Sequence, residues 1–203
     1  MAPREGLSRD RLIVGLTGAS GIAYGVKLLE LLRALPVETH LVMSRAAEVT
    51  LAYESDLKVA QVKALADVVH ANDDMAAPIS SGSFRTLGMV VAPCSVKTLA
   101  EIATGVTGSL LARAADVVLK ERRRLVLMLR ETPLTTGHIR NMLAVSEMGG
   151  IVAPPVPAFY TRPQTLDDLV TQSVGRVLDL FGLEAPGVAR WGEDTGKGRA
   201  RKG

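Results

Sequence analysis

The sequence predicts an α/β protein built as a three-layer, doubly wound parallel sheet. Three observations predict it. Short apolar runs at 12–14, 89–92 and 125–129 alternate with segments whose apolar residues recur every three or four positions, the pattern of strands alternating with amphipathic helices. The first run ends in a turn holding Gly15, Gly18 and Gly21, after which Tyr24, Leu28, Leu31 and Leu32 recur at helical spacing. Strand, glycine turn and helix are how such a sheet begins. The later runs are apolar at every position, as in strands covered by helices on both faces.

Composition narrows the function classes. With 203 residues, 47% of them apolar, the chain is long enough for one well-buried core. Phe, Trp and Tyr make up only 3%, too few for the stacking platforms of single-strand nucleic-acid binders. The net charge is +3, and several basic residues crowd the last fourteen positions, which describes no nucleic-acid surface. The one cysteine, Cys94, forms no internal disulfide and fits a reducing cytoplasm. No run approaches a membrane span, and residues 1–10 lack the apolar segment of a signal peptide. We therefore expect a cytoplasmic protein with one domain over residues 1–192 and a basic, disordered tail at 193–203.

The elements follow in order. Strand one is expected at 11–16 and helix one at 20–35, closed by Pro36. The free N–H groups and positive dipole end of that helix suit a phosphate, and Ser20 adds a hydroxyl. Strand two (38–43) delivers Ser44, either a plain N-cap of the helix at 45–53 or a group facing the ligand crevice. Glu54 and Asp56 follow that helix and read, on their own, as solvated surface acids. A short helix (59–65), a short strand (67–70) and a loop (72–86) come next; loops of that length often carry function. Strand 89–92 runs into Pro93-Cys94-Ser95-Val96-Lys97-Thr98 and a helix to 103, which sets Ser95 and Thr98 near a second helix N-terminus. A helix at 109–121 carries Arg113 and Lys120. Strand 125–129 delivers Arg130 and Glu131, a charged pair on the edge where ligands sit. A helix at 135–147, a strand at 151–153, a proline-stiffened segment carrying Phe159 and Tyr160, and a helix at 166–181 with Arg176 complete the chain, ahead of Trp191.

Several chemistries are missing from the pattern. His40, His70 and His138 are far apart in sequence and Cys94 has no partner, so no metal site is legible. His40, inside a strand, reads as a packed core residue. No Gly-Lys-Ser/Thr follows the first turn and no Gly-x-Ser-x-Gly elbow is present. Thr17-Gly18-Ala19-Ser20-Gly21 resembles the opening of short-chain dehydrogenases. Strand two, however, ends in Met43-Ser44-Arg45 without the acid that holds an adenosine ribose, and no tyrosine is followed by lysine four positions later.

Six segments taken together resemble the flavin prenyltransferases of the UbiX type: Gly-Leu-Thr-Gly-Ala-Ser-Gly at 15–21, Ser-Gly-Ser-Phe-Arg-Thr at 81–86, Ala-Pro-Cys-Ser at 92–95, Arg-Ala-Ala-Asp-Val-Val-Leu-Lys-Glu-Arg-Arg at 113–123, Arg-Glu-Thr-Pro-Leu at 130–134 and Pro-Pro-Val-Pro-Ala-Phe-Tyr at 154–160. The resemblance implies a flavodoxin-like or Rossmann-like domain that binds reduced FMN and dimethylallyl monophosphate. It implies transfer of the five-carbon group to flavin N5 and then C6, release of phosphate without a metal, and delivery of prenylated FMN to a UbiD-type decarboxylase. By the family pattern Gly18, Ala19, Ser20, Ser44, Ser95, Val96, Lys97, Thr98 and Arg130 match FMN contacts. Arg113, Lys120, Tyr160, Arg176 and Trp191 match groups around the prenyl phosphate. Ser20, Glu54, Lys120, Arg130, Glu131 and Tyr160 match the catalytic set. The resemblance further implies a trimer-based homododecamer with flavin near subunit boundaries. Gly108-Ser109 replaces an Asp-Asn common in related flavoproteins, and Asp74 replaces an aromatic residue. Two alternatives stay open: an FMN-dependent decarboxylase of cysteinyl substrates such as phosphopantothenoylcysteine, and a non-catalytic flavin carrier.

Overall fold

The first strand, β1 (Asp10–Leu16), is sorted by its own alternation. Leu12, Val14 and Leu16 fall into one core cluster and Ile13 into another, because successive side chains of a strand point to opposite faces. A computed structural model describes residues 10–194 of the chain. In it β1 is followed by α1 (Ile22–Leu32), β2 (Val37–Met43), α2 (Arg45–Glu54), α3 (Val59–Lys63), β3 (Val68–His70), β4 (Gly88–Cys94), α4 (Val96–Thr104), α5 (Leu110–Lys120), β5 (Arg124–Leu129), α6 (Thr136–Glu147), β6 (Ile151–Val152) and α7 (Leu166–Asp179).

All six strands pair in parallel in the order β3-β2-β1-β4-β5-β6. This is the order of dinucleotide-binding sheets, and setting aside the three-residue β3 leaves the flavodoxin order. The direction of winding reverses between β1 and β4, which opens a crevice beyond their C-terminal ends. On one face Leu12, Val14, Leu41, Val90 and Val126 pack with residues of α1, α2 and α7, among them Leu28, Leu51 and Leu178. On the other, Ile13, Val42, Met89, Val91 and Leu127 pack with Leu99, Leu111, Ala114, Val118 and Val145 of α4, α5 and α6. Each fully buried aliphatic side chain contributes roughly 1.5–3 kcal/mol.

Two boundaries differ from the sequence expectation for physical reasons. Helix α1 starts at Ile22 rather than 20, because Gly21 holds the left-handed conformation at φ 96° as its N-cap. It ends at Leu32 rather than 35, where Ala34 and Leu35 N–H groups donate to Leu31 and Leu32 carbonyls in a tighter turn. The 72–86 loop contains a short 3-10 turn at Pro78–Ser80. Of the expected tail, Glu193 and Asp194 form a turn on Arg190, and residues 195–203 lie outside the described residues.

Candidate active site

The crevice is framed by two strand-to-helix turns joined through one hydroxyl. Thr17 Oγ1 donates to the Pro93 carbonyl at 2.7 Å and accepts from the Ser95 N–H at 2.9 Å. Thr17 is 1% exposed. The Ser44 N–H donates to the Leu16 carbonyl, which draws the end of β2 into the same edge. Ser44 and Ser95 both serve as N-caps: their hydroxyls accept from the Ala47 and Thr98 N–H groups. The capping reading thus holds for both, and each residue also borders the crevice. Beyond the cap, the Val96 and Lys97 N–H groups have no hydrogen-bond partner among the described residues.

Helix α2 lies along the first turn through residues spaced by four. A Cβ on Gly18 would come 2.4 Å from that of Ala46. Thr50 Oγ1 donates to the Gly18 carbonyl at 3.3 Å. Glu54 Oε2 accepts from the Gly21 and Ile22 N–H groups at 2.8 and 2.9 Å. Glu54 is therefore not a free surface acid; the i, i+4, i+8 spacing after Ser44 was the signal that could have placed it. This placement also corrects the expected phosphate position, since a carboxylate already takes the anion-binding N–H groups of α1. The N-terminus of α4 keeps its donors.

Partial burial pushes the Glu54 carboxyl up, but the Ser20 hydroxyl, the Ile22 and Gly21 N–H groups and the charge of Arg130 outweigh it and leave it below the usual carboxylate range. Arg130 also acts on Tyr24, whose phenol is raised by burial and lowered by that guanidinium. Tyr24 was read from sequence only as a helix-face residue; its ring lies against Gly21 in the same turn. The charge of Arg130 thus reaches both Glu54 and Tyr24 where α1 begins.

A second part of the edge is built by the segment after β6 and by α7. A cavity of about 230 Å³ is lined by Met128, Pro154, Val156, Ala158, Arg176 and Val177, among others. Tyr160 meets Trp191 edge to face, with ring centroids 5.4 Å apart. Asp179 accepts from both Arg176 and Arg190. Burial raises the Asp179 carboxyl, but Arg190 and Arg176 together hold it below the usual range. Arg190, which shares Asp179 with Arg176, directly precedes Trp191 in the chain.

Three expected site residues stand apart from these groups in the single chain. Lys120 ends α5 and pairs with Glu121 next to Gly82, just before β5 begins. A helix between parallel strands runs back against them, so its last residue sits at the edge opposite Arg130. Arg113 pairs with Asp116 and donates to the Ser80 carbonyl, on the sheet face away from α1 and α7. Glu131 is exposed, and its carboxylate accepts from the adjacent Thr132 N–H. The expectation that Lys120 and Arg113 converge with Arg130 therefore fails within one protomer. Cys94 is buried, which pushes its thiol far up, so it is no nucleophile. Among the described residues no three His, Cys, Asp or Glu side chains are placed to hold a metal.

Residues 2–178 match the model of the family described as Flavoprotein. A probable UbiX-like flavin prenyltransferase from Streptomyces sp. (strain D7) is 61% identical over 182 residues, which are 89% of this chain and 91% of that relative. The chain belongs to the UbiX-type flavin prenyltransferases. Solved structures of this prenyltransferase family superpose closely. AnUbiX, crystallised in complex with FMN and dimethylallyl pyrophosphate, matches with a TM-score of 0.90 and 56% identity over 91% of this chain and 98% of its own. A dodecameric FMN-dependent Ubix-like decarboxylase from Escherichia coli O157:H7 matches with a TM-score of 0.87 and 58% identity over 89% and 98%. The donors at the start of α4, the Ser20 hydroxyl and exposed Arg130 fit a flavin mononucleotide laid across the crevice of this prenyltransferase.

Proposed function

We propose that this chain joins a dimethylallyl group from dimethylallyl monophosphate to N5 and C6 of reduced FMN, giving prenylated FMN and inorganic phosphate. What carries the reading is the 56% identity, over 91% of the chain, to a structure that holds FMN and dimethylallyl pyrophosphate together. Reduced FMN supplies the nucleophilic nitrogen and carbon when bound. The protein's part is to orient two ligands and to place charge.

Gly18, Ala19, Ser20, Ser44, Arg130 and the 95–98 turn hold the flavin, with its phosphate on the free Val96 and Lys97 N–H groups. Ser20 presents its hydroxyl to the reacting edge, and Glu54 orients that hydroxyl. Tyr160 and Arg176 take the prenyl phosphate beside the apolar cavity, and Trp191, packed on Tyr160, closes it. Breaking an allylic C–O bond throws negative charge onto the phosphate, and fixed cationic and phenolic donors stabilise it. The contacts that lower the Glu54 carboxyl make it a weak base. The departing phosphate, with a second pKa near ~6, therefore carries the protons: it takes the one released from nitrogen, gives one to the prenyl double bond as the ring closes, and takes the one released from carbon.

Lys120 and Arg113 join this site from a neighbouring copy, within a trimer-based dodecamer. Prenylated FMN then passes to a UbiD-type decarboxylase in the cytoplasm. Anaerobic incubation with reduced FMN and dimethylallyl monophosphate tests the reaction: the expected product is flavin heavier by one five-carbon unit. An unchanged flavin mass with both the monophosphate and the pyrophosphate overturns it.

A further inference from the structure

Away from the crevice, a buried polar cluster fastens the edge of the sheet. Strands β2 and β3 share only three residue pairs: His40 with Val68, Leu41 with Val69 and Val42 with His70. His40 is 3% exposed. Its ring lies edge to edge with that of His70, with centroids 5.3 Å apart and planes 11° from parallel. His40 Nδ1 lies 3.0 Å from His70 Nε2, and His40 Nε2 lies 2.7 Å from Glu38 Oε1. Glu38 also accepts from Arg11 Nε at 3.0 Å. The His40 bond, ahead of Arg11, holds the Glu38 carboxyl below its usual range.

Proton counting follows from these distances. An ionised carboxylate only accepts, so His40 Nε2 carries a hydrogen. A single proton then lies between His40 Nδ1 and His70 Nε2. The pair accommodates one positive charge with that bond intact, on either ring. A second charge would set N–H against N–H at 3.0 Å, and relief requires the two rings to part. Burial pushes the His70 imidazole down and His40 adds to this, while Asp74 opposes it.

On its open side His70 lines a cavity of about 490 Å³ with Arg45, Glu48, Lys63 and Asp73, of which Lys63 and Glu48 are paired with each other. Phe84 meets His40 edge to face at 5.1 Å, and the Arg11 guanidinium covers Phe84 at 4.6 Å. Arg123 binds the Phe84 and Gly82 carbonyls. Arg113 and Asp116 of α5, packed on the same loop, are paired with each other. Asp67, at the entry to β3, accepts from both the N–H and the hydroxyl of Thr39. Two residues past His70, the Asn72 carbonyl and its Oδ1 accept from the Leu110 and Leu111 N–H groups. The segment after the strand that His70 anchors therefore supplies two acceptors to the start of α5, beside the Ser109 N-cap.

We propose that the hydrogen-bonded His40–His70 pair is an acid-operated latch, in which the second proton frees β3 and the Asn72 contacts to α5 while the Asp67–Thr39 tie keeps the strand hinged. Burial and His40 hold the His70 imidazole below its ordinary value in the closed pair, so the opened form gains protons over the closed form as pH falls.

Hydrogen exchange on the full chain, corrected for its intrinsic pH dependence, tests the latch between about pH 8 and about pH 5.5. The expected result is at least about tenfold faster exchange in acid for residues 68–74 and the first turn of α5, with β1, β4 and β5 unchanged. His70→Gln keeps a hydrogen-bonding side chain without the titration, and is expected to abolish the acid response. Acid-independent exchange of 68–74 in the wild type, or an undiminished response in His70→Gln, overturns the proposal. Should that variant fail to fold, histidine nitrogen resonances of the wild type decide. Two steps separated by more than about one pH unit support the latch, and two independent titrations refute it.

Discussion

Glu54 shows how one side chain is given its role by neighbours distant in sequence. The acid accepts two backbone N–H bonds at the start of α1, and the Ser20 hydroxyl helps to lower its carboxyl. It caps the helix and orients a hydroxyl at once. Glu54→Gln keeps an acceptor oxygen but loses the charge facing the helix dipole. We expect a loss of about 0.5–1 kcal/mol in stability, measured by denaturant titration at neutral pH. The pH dependence has a definite sign. A carboxyl lowered in the folded state stabilises fully above its unfolded pKa, and that contribution is lost as pH falls through the folded value. The variant should therefore show a flatter acid limb in a plot of Tm against pH. An acid limb identical to the wild type would refute the clamp. From sequence this residue read as solvated, because its partners lie 32 and 33 positions away. Beside the family pattern, which set it in the catalytic group, its helical register with Ala46 and Thr50 was the local hint.

Among elements, the strands and helices were legible because each has a single periodicity and clear punctuation. The turn at Gly21 was legible as a turn, though not as the left-handed cap that delays α1 by two residues. The sequence reading also missed the use of the α1 N-terminus. A helix end attracts anions in general, and nothing local reveals that a carboxylate from α2 already sits there. The contact between α1 and β4 carries a sharper consequence. A Cβ on Gly25 would come 2.3 Å from the Ala92 carbonyl oxygen, and backbone cannot yield as a flexible side chain does. Gly25→Ala should push α1 off the sheet at a cost of about 1–3 kcal/mol, against the helix-propensity gain of roughly 1 kcal/mol that alanine brings. A net fall in Tm of a few degrees is expected, since each kcal/mol shifts a domain of this size by about 2–4 °C. Thermal unfolding with an unchanged or raised Tm would show that the packing tolerates the methyl group.

For the molecule as a whole, the expected ring of cations splits into two groups at opposite edges of one sheet. Arg130 lies beyond a strand's C-terminus, whereas Lys120 precedes the next strand's N-terminus. This separation was implicit in the alternation of strands and helices, yet the family pattern names residues without saying which copy supplies them. If Lys120 works from a neighbouring copy, two damaged chains can repair one another. Lys120→Ala and Arg130→Ala should each abolish prenyl transfer alone. Unfolded together and refolded as mixed oligomers, they should regain a measurable fraction of the wild-type rate. A mixture as inactive as its components would place both residues in the same protomer's site.

The hydroxyl of Thr17 reaches beyond its own turn. Because it grips the Pro93 carbonyl and the Ser95 amide together, the spacing of the two walls is set by a pair of short bonds in the floor. Widening the opening for a bulkier guest would mean breaking both. The side chains along the rim can therefore drift in size and polarity, retuning what enters, while the gauge of the opening stays the same.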